Sequence, residues 1–157
     1  MTNTFLKKLY KSNKIDLVQP NENIKDAYLN KSDDYLDTAK LCVDNDKLEQ
    51  SVSMSYYSMY YSVLALLFNT GIKSEVHTAS ILILNKVYGL DDSKISFAKT
   101  ERVDKQYFID FSIAKEESEE LIEMAQEFNA LIFDFISKIS NENIQAFRNK
   151  FKLLIGL

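Results

Sequence analysis

Glycine and proline are nearly missing from this chain, with three and one respectively in 157 residues. Hairpin-rich sheets, sandwiches and barrels need turn residues every few positions, so this scarcity argues against them and leaves helices. The one cysteine, Cys42, excludes an internal disulfide and a thiolate metal cluster, and it fits a reducing cytoplasm. The one histidine, His77, has no second imidazole with which to share a metal ion. Carboxylate pairs followed by a histidine three residues on, the di-metal pattern of some helical bundles, are also missing. Neither a metal nor another cofactor is expected. Phosphate-cradling glycine loops, HExxH, CxxC and nucleophile-elbow motifs do not occur. No apolar run reaches membrane-spanning length and the first residues carry no signal-type apolar region, so a cytoplasmic protein with no membrane partner is expected.

Arginine is scarce as well. Only Arg102 and Arg148 occur, and every other basic group is lysine. Because bidentate phosphate clamping favours arginine, those two positions carry weight. The net charge of −4 does not describe a general polyanion binder. Charge is placed unevenly, however: Lys7, Lys8, Lys11 and Lys14 stand in a stretch without acids, whereas residues 116–127 are strongly acidic.

What the chain does contain is helical periodicity, with 46% apolar and 12% aromatic residues. A chain of this length buries roughly two thirds of its extended surface, so residues 1–157 are expected to form one domain. Residues 1–20 read as an N-terminal extension closed by Pro20, with Asn21 or Asn23 capping a helix that runs to about Asp44. A second helix is expected from about Leu48 to Asn69, with Gly71 as its C-cap. On it, Tyr56, Tyr60, Val63 and Leu67 form one stripe, and Tyr57, Tyr61, Leu64 and Phe68 the next. Ser51, Ser55, Ser58 and Ser62 form a third stripe that lets another helix approach closely. A helix apolar or small around most of its circumference is a central one. Further helices are expected at about 74–88, ending at Gly89, then 92–108, 115–139, and 141–157 at the C-terminus. The acidic start of the 115–139 helix suits the positive end of its dipole, or is simply a solvated face. The expected fold is all-α, an antiparallel up-and-down bundle of four to five main helices.

Two stretches could carry chemistry. In "GIKSEVHTAS", residues 71–80, Ser74 reads as an N-cap that places His77 at the third helical position, with Lys73 adding a cation. Unpaired N–H groups and the dipole gather there, which suits a phosphate and favours a neutral imidazole. A lone histidine beside an apolar helix can equally be structural. In "KTERVDKQY", residues 99–107, Arg102 and Gln106 share a helical face next to Val103 and Tyr107. The alternative there is an exposed helix with a Glu101–Lys105 pair.

The stretch "SYYSMYYSVLALLFNTGIKSEVHTASI" resembles the central signature of HEPN domains, nucleotide-binding domains of higher eukaryotes and prokaryotes. The nearest likeness is to the prokaryotic UPF0332 branch, with its "RxYYAMFxAAxALL" helix, glycine turn, "KSHxGV"-like helix start, "RxxxDY"-like element and final "AxxFxxxI" run. The counterparts are Tyr56, Tyr57, Met59, Tyr60, Ala65, Leu66 and Leu67, then Gly71, Lys73 and His77, then Arg102 and Tyr107, then Ala125, Phe128 and Ile132. The likeness covers roughly residues 24–139. It implies a helical bundle, a homodimer, and pairing with a minimal nucleotidyltransferase in toxin–antitoxin systems. It also implies RNA cleavage without metal through an Arg-x(4–6)-His motif, arginine steadying phosphate charge and histidine moving protons.

Two positions depart from that pattern. No arginine lies four to six residues before His77, Lys73 being the nearest cation, and Ser55 stands where the branch often has arginine. The reading is therefore a binding module for nucleotide or RNA phosphate, His77 and Arg102 forming its reactive pair and Lys73, Ser74, Tyr57 and Tyr107 contacting phosphate. One alternative is an active metal-independent endoribonuclease using His77 with Arg102 or Lys73. Another is a helical adaptor whose tyrosines only pack.

Overall fold

The structure, a computed structural model, describes residues 1–107 and 112–157, and of residues 106 and 107 the backbone only. Its elements run α1 (Thr2–Lys11), β1 (Ile15–Leu17), α2 (Glu22–Asp44), α3 (Leu48–Thr70), β2 (Ile72–Ser74), α4 (His77–Tyr88), α5 (Ser93–Tyr107), α6 (Lys115–Ser137) and α7 (Asn141–Ile155). The architecture is an all-α bundle carrying one small two-stranded ribbon. The expected helices from Asn21 onward are present, with ends shifted by a few residues.

The centre of the bundle is α3, which packs against α2, α4, α5, α6 and α7. Its apolar stripes explain this: Tyr56, Met59, Val63, Ala65, Leu66 and Leu67 are all fully buried. The serine stripe does the rest. Ser58 Oγ donates to the carbonyl of Ser32 at 2.7 Å, and Ser32 Oγ donates back to that of Ser58 at 2.7 Å. Ser51 Oγ donates to the Ala39 carbonyl at 2.9 Å. Side chains of one heavy atom beyond Cβ thus let α2 and α3 lie backbone against backbone while the hydroxyls of Ser32, Ser51 and Ser58 are satisfied. From α6, Asn129 Nδ2 donates to Ser58 Oγ at 2.8 Å, tying a third helix to the seam.

The N-terminal extension is more structured than its composition suggests. Residues 2–11 form α1, and residues 15–17 pair antiparallel with 72–74, matching Ile15 to Ser74 and Leu17 to Ile72. Neither element was expected, because three-residue strands offer no alternation to read and α1 shows its apolar side only when packed on α7. Where α3 ends, Gly71 adopts φ +75°, the left-handed C-cap. Arg148 Nη1 reaches in from α7 and donates to the carbonyls of Val18, Thr70 and Gly71 at 2.7, 3.1 and 2.8 Å. A Cβ at position 71 would collide with that guanidinium and with the Val18 carbonyl. Arg148, one of two arginines singled out for phosphate, is instead a clamp on three backbone carbonyls.

Candidate functional site

The site grows from the third turn of α3. Tyr56 and Tyr57 point to neighbouring faces, and Tyr60 sits one turn beyond Tyr56. The β1–β2 ribbon then steers the chain after Gly71 so that α4 begins beside this tyrosine group. His77 is the first residue of α4, not the third. Strand pairing holds the backbone extended through Ser74, so Val76 takes the N-cap position, and no side chain caps it. Ser74, expected at that cap, accepts a bond from Ser80 Oγ at 2.9 Å and turns its own hydroxyl to the Val76 carbonyl at 3.3 Å.

The imidazole is gripped from two sides. Tyr56 Oη lies 2.7 Å from His77 Nδ1, and the Tyr60 ring stacks on the imidazole at 3.8 Å with planes 13° apart. Tyr57 meets it edge-on at 6.1 Å. Tyr56 is wholly buried, whereas His77 is half-buried.

Arg102 arrives from α5. Its Nη1 donates to Tyr57 Oη at 3.0 Å, and its guanidinium carbon lies 5.1 Å from the centre of the Tyr57 ring and 5.4 Å from that of Tyr56. Contacts of this kind hold a cation over an aromatic face. One turn earlier on α5, Lys99 Nζ donates to Thr78 Oγ1 at 2.6 Å, beside His77 at the start of α4. Three helices therefore converge: α3 supplies the tyrosines, α4 the imidazole, α5 two cations. An adjoining recess of about 380 Å³, lined by Phe5, Thr78, Leu82 and Ser96 among others, meets this corner at Thr78.

Electrostatics follow from that placement. Burial, then Arg102, then Lys99 hold the His77 pKa below its ordinary 6.5, so the imidazole is neutral at pH 7. Burial, then Arg102, also lowers Lys99. Burial pushes the Tyr56 phenol well above its ordinary range and raises Tyr60 too. Arg102 Nε is buried without a hydrogen-bond partner. Among the described residues, neither Arg102 nor Lys99 forms an ion pair with a carboxylate. Two cations left mutually repelling beside an uncapped helix start form a corner suited to an anion.

The sequence-derived residues divide accordingly. His77, Arg102 and Tyr57 are brought together. Lys73 is held elsewhere: its ammonium pairs with Glu75 at 2.8 Å, and Glu75 also faces Lys14 at 3.4 Å. The backbone of Tyr107 closes α5, and its side chain lies outside the described residues. Tyr56, Tyr60, Lys99 and Thr78 were not anticipated as parts of the site. Lys99 stands three residues before Arg102, on the same helical face, and that spacing could have revealed it. Tyr56 and Tyr60 are indistinguishable from packing residues until α4 is placed. Among the described residues no three His, Cys, Asp or Glu side chains are grouped to hold a metal ion, and no helix is long and apolar enough to cross a membrane.

Comparison with known proteins gives this corner a family context. A profile of the HEPN domain matches residues 26–135, from the start of α2 to the end of α6 and thus across α3, His77 and Arg102. A UPF0332 protein of Thermotoga maritima is 29% identical over 85 residues, which span 54% of this chain and 58% of that protein. With a profile match across well over half of its length, the chain belongs to the HEPN family.

Proposed function

We propose that this protein is a HEPN-type binding module holding a phosphate group of a nucleotide or of RNA in the corner between α3, α4 and α5. The observation that carries the reading is the paired suspension of His77 from Tyr56 and of Arg102 from Tyr57, with no carboxylate of the described residues paired with Arg102 or Lys99. An all-structural role gives no reason for two cations without a carboxylate partner, and a buried Nε–H without an acceptor, among the described residues. In this reading Arg102 and Lys99 supply charge, and His77 and Tyr57 supply directed hydrogen bonds. The assembly that goes with it is a homodimer partnering a nucleotidyltransferase-family protein, as in toxin–antitoxin pairs.

The test is equilibrium binding of fluorescent RNA and of nucleotides in chelator. Charge-assisted hydrogen bonds contribute about 1.5 to 3 kcal/mol each. Arg102→Gln is therefore expected to weaken binding by about tenfold or more. Equal affinity of wild type and Arg102→Gln would remove the proposal.

A second reading is favoured by one observation, the neutral imidazole beside a guanidinium. That is a general acid–base group next to a charge stabiliser, the minimum for attack by a ribose 2′-hydroxyl on its phosphate. Here Arg102 takes the stabilising part, since Lys73 is paired with Glu75. RNA cleavage in chelator that disappears in His77→Ala would establish this endoribonuclease activity, and inert wild-type protein that still binds RNA would favour the binding module. The adaptor reading requires Tyr57→Phe and His77→Ala to leave every binding measurement unchanged.

A further inference from the structure

The hydrogen-bond directions around His77 determine which kind of phosphate fits. Tyr56 is wholly buried and its oxygen has one partner, His77 Nδ1 at 2.7 Å. A neutral phenol is a good donor, and the unprotonated imidazole nitrogen is the better acceptor of the two, so the proton of this bond belongs to Tyr56. The imidazole's own proton is then on Nε2, the ring nitrogen that Tyr56 does not engage. Tyr57 Oη already accepts from Arg102 Nη1 at 3.0 Å, which leaves its own proton free to donate. Arg102 retains the buried, unpartnered Nε–H and its second amino group. Lys99 places one donor on Thr78 at 2.6 Å and keeps two.

The four side chains thus present N–H and O–H groups, with no carboxylate among them. With a neutral imidazole their formal charge is +2, from Arg102 and Lys99, and the uncapped start of α4 adds partial positive charge. An internal phosphodiester carries a single negative charge. A terminal phosphate carries about −1.5 to −2 at pH 7 and offers three strong acceptor oxygens. We infer that this corner selects a terminal phosphomonoester, the 5′-phosphate of a nucleotide or of an RNA end, over an internal phosphodiester. The inference rests on the phosphate-binding reading and narrows it to one ligand class.

The experiment uses the full chain in chelator with four probes: 5′-AMP, 3′,5′-cyclic AMP, and one short RNA bearing either a 5′-phosphate or a 5′-hydroxyl. The two AMP forms share a base and differ in phosphate charge. Expected is at least about tenfold tighter binding of 5′-AMP than of the cyclic diester, the scale of one charge-assisted contact, and a like preference for the 5′-phosphorylated RNA. Equal affinities within each pair overturn the inference and leave the phosphate-binding reading standing. Binding of none of the four removes both. A ¹⁵N spectrum of the sole imidazole checks the donor assignment independently: protonated Nε2 is expected, and protonated Nδ1 overturns it. Tyr56→Phe is expected to raise the Nδ1-protonated fraction and to lessen the preference for 5′-AMP, and unchanged tautomer and preference in that variant overturn the donor assignment.

Discussion

Tyr56 and Tyr57, adjacent in α3, divide the site between them: one holds the His77 imidazole at 2.7 Å and the other the Arg102 guanidinium at 3.0 Å. The separation of the two groups is thereby tied to a single helix turn rather than to loop geometry. Arg102 comes from α5, after His77 in the chain, and not from the residues before the histidine. A guanidinium delivered by a neighbouring helix still needs an anchor, and Tyr57 provides it.

Tyr57→Phe keeps the ring under Arg102 and removes the hydroxyl. The expected outcome is a fold close to wild type, with stability lower by about 1 kcal/mol and phosphate affinity down by several-fold, because Arg102 loses its fixed direction. Urea unfolding and ligand titration on the same samples measure the two effects.

The single histidine makes pH dependence readable. His77 titrates below 6.5 in the folded protein, chiefly through burial and then through Arg102 and Lys99. Its unfolded form therefore binds protons first as pH falls. The contribution to stability is complete above about 6.5 and is lost as pH drops through the lower folded value. Arg102→Gln removes one lowering influence, so the imidazole pKa is expected to rise in that variant, as measured by NMR titration.

Arg148 and Gly71 should behave as stability residues alone. Arg148→Met abandons three carbonyl acceptors at the α3 terminus, and Gly71→Ala adds a side chain at φ +75° into occupied space. Each is expected to cost about 2 kcal/mol or more. Phosphate affinity per folded molecule should stay within a factor of about two of wild type, well below the effect of losing one charge-assisted contact.

Ser55 is the second position at which the chain departs from the pattern it resembles. It is fully buried and its hydroxyl has no hydrogen-bond partner. Ser55→Ala is expected to be neutral or stabilising by up to about 1 kcal/mol, since an unpaired buried hydroxyl is removed. Ser55→Arg is expected to prevent stable folding, because no space or partner awaits its charge. Thermal denaturation distinguishes these outcomes.

Much of the bundle was legible because α2 to α6 carry long 3.6-residue patterns and left-handed glycines end α3 and α4. The central place of α3 followed from its apolar circumference and serine stripe. The ribbon was not legible, and its absence from the reading displaced Ser74 and His77 by two helical positions. His77, Arg102 and Tyr57 emerged from scarcity and family likeness. Their partners Tyr56, Tyr60 and Lys99 did not, because a tyrosine that packs and a tyrosine that orients an imidazole have the same local pattern. Lys73 and Arg148 share one limit: a sequence shows a cation and not the acceptor that engages it.

The central claim is that the His77 edge and the Arg102 guanidinium hold one phosphate together. Following the lone imidazole by ¹⁵N–¹H NMR while 5′-AMP is added in chelator tests it most directly. A saturable shift of the Nε2 resonance that is absent in Arg102→Gln is the predicted result. An imidazole resonance unmoved at saturating 5′-AMP, or moved equally in both proteins, would contradict the account.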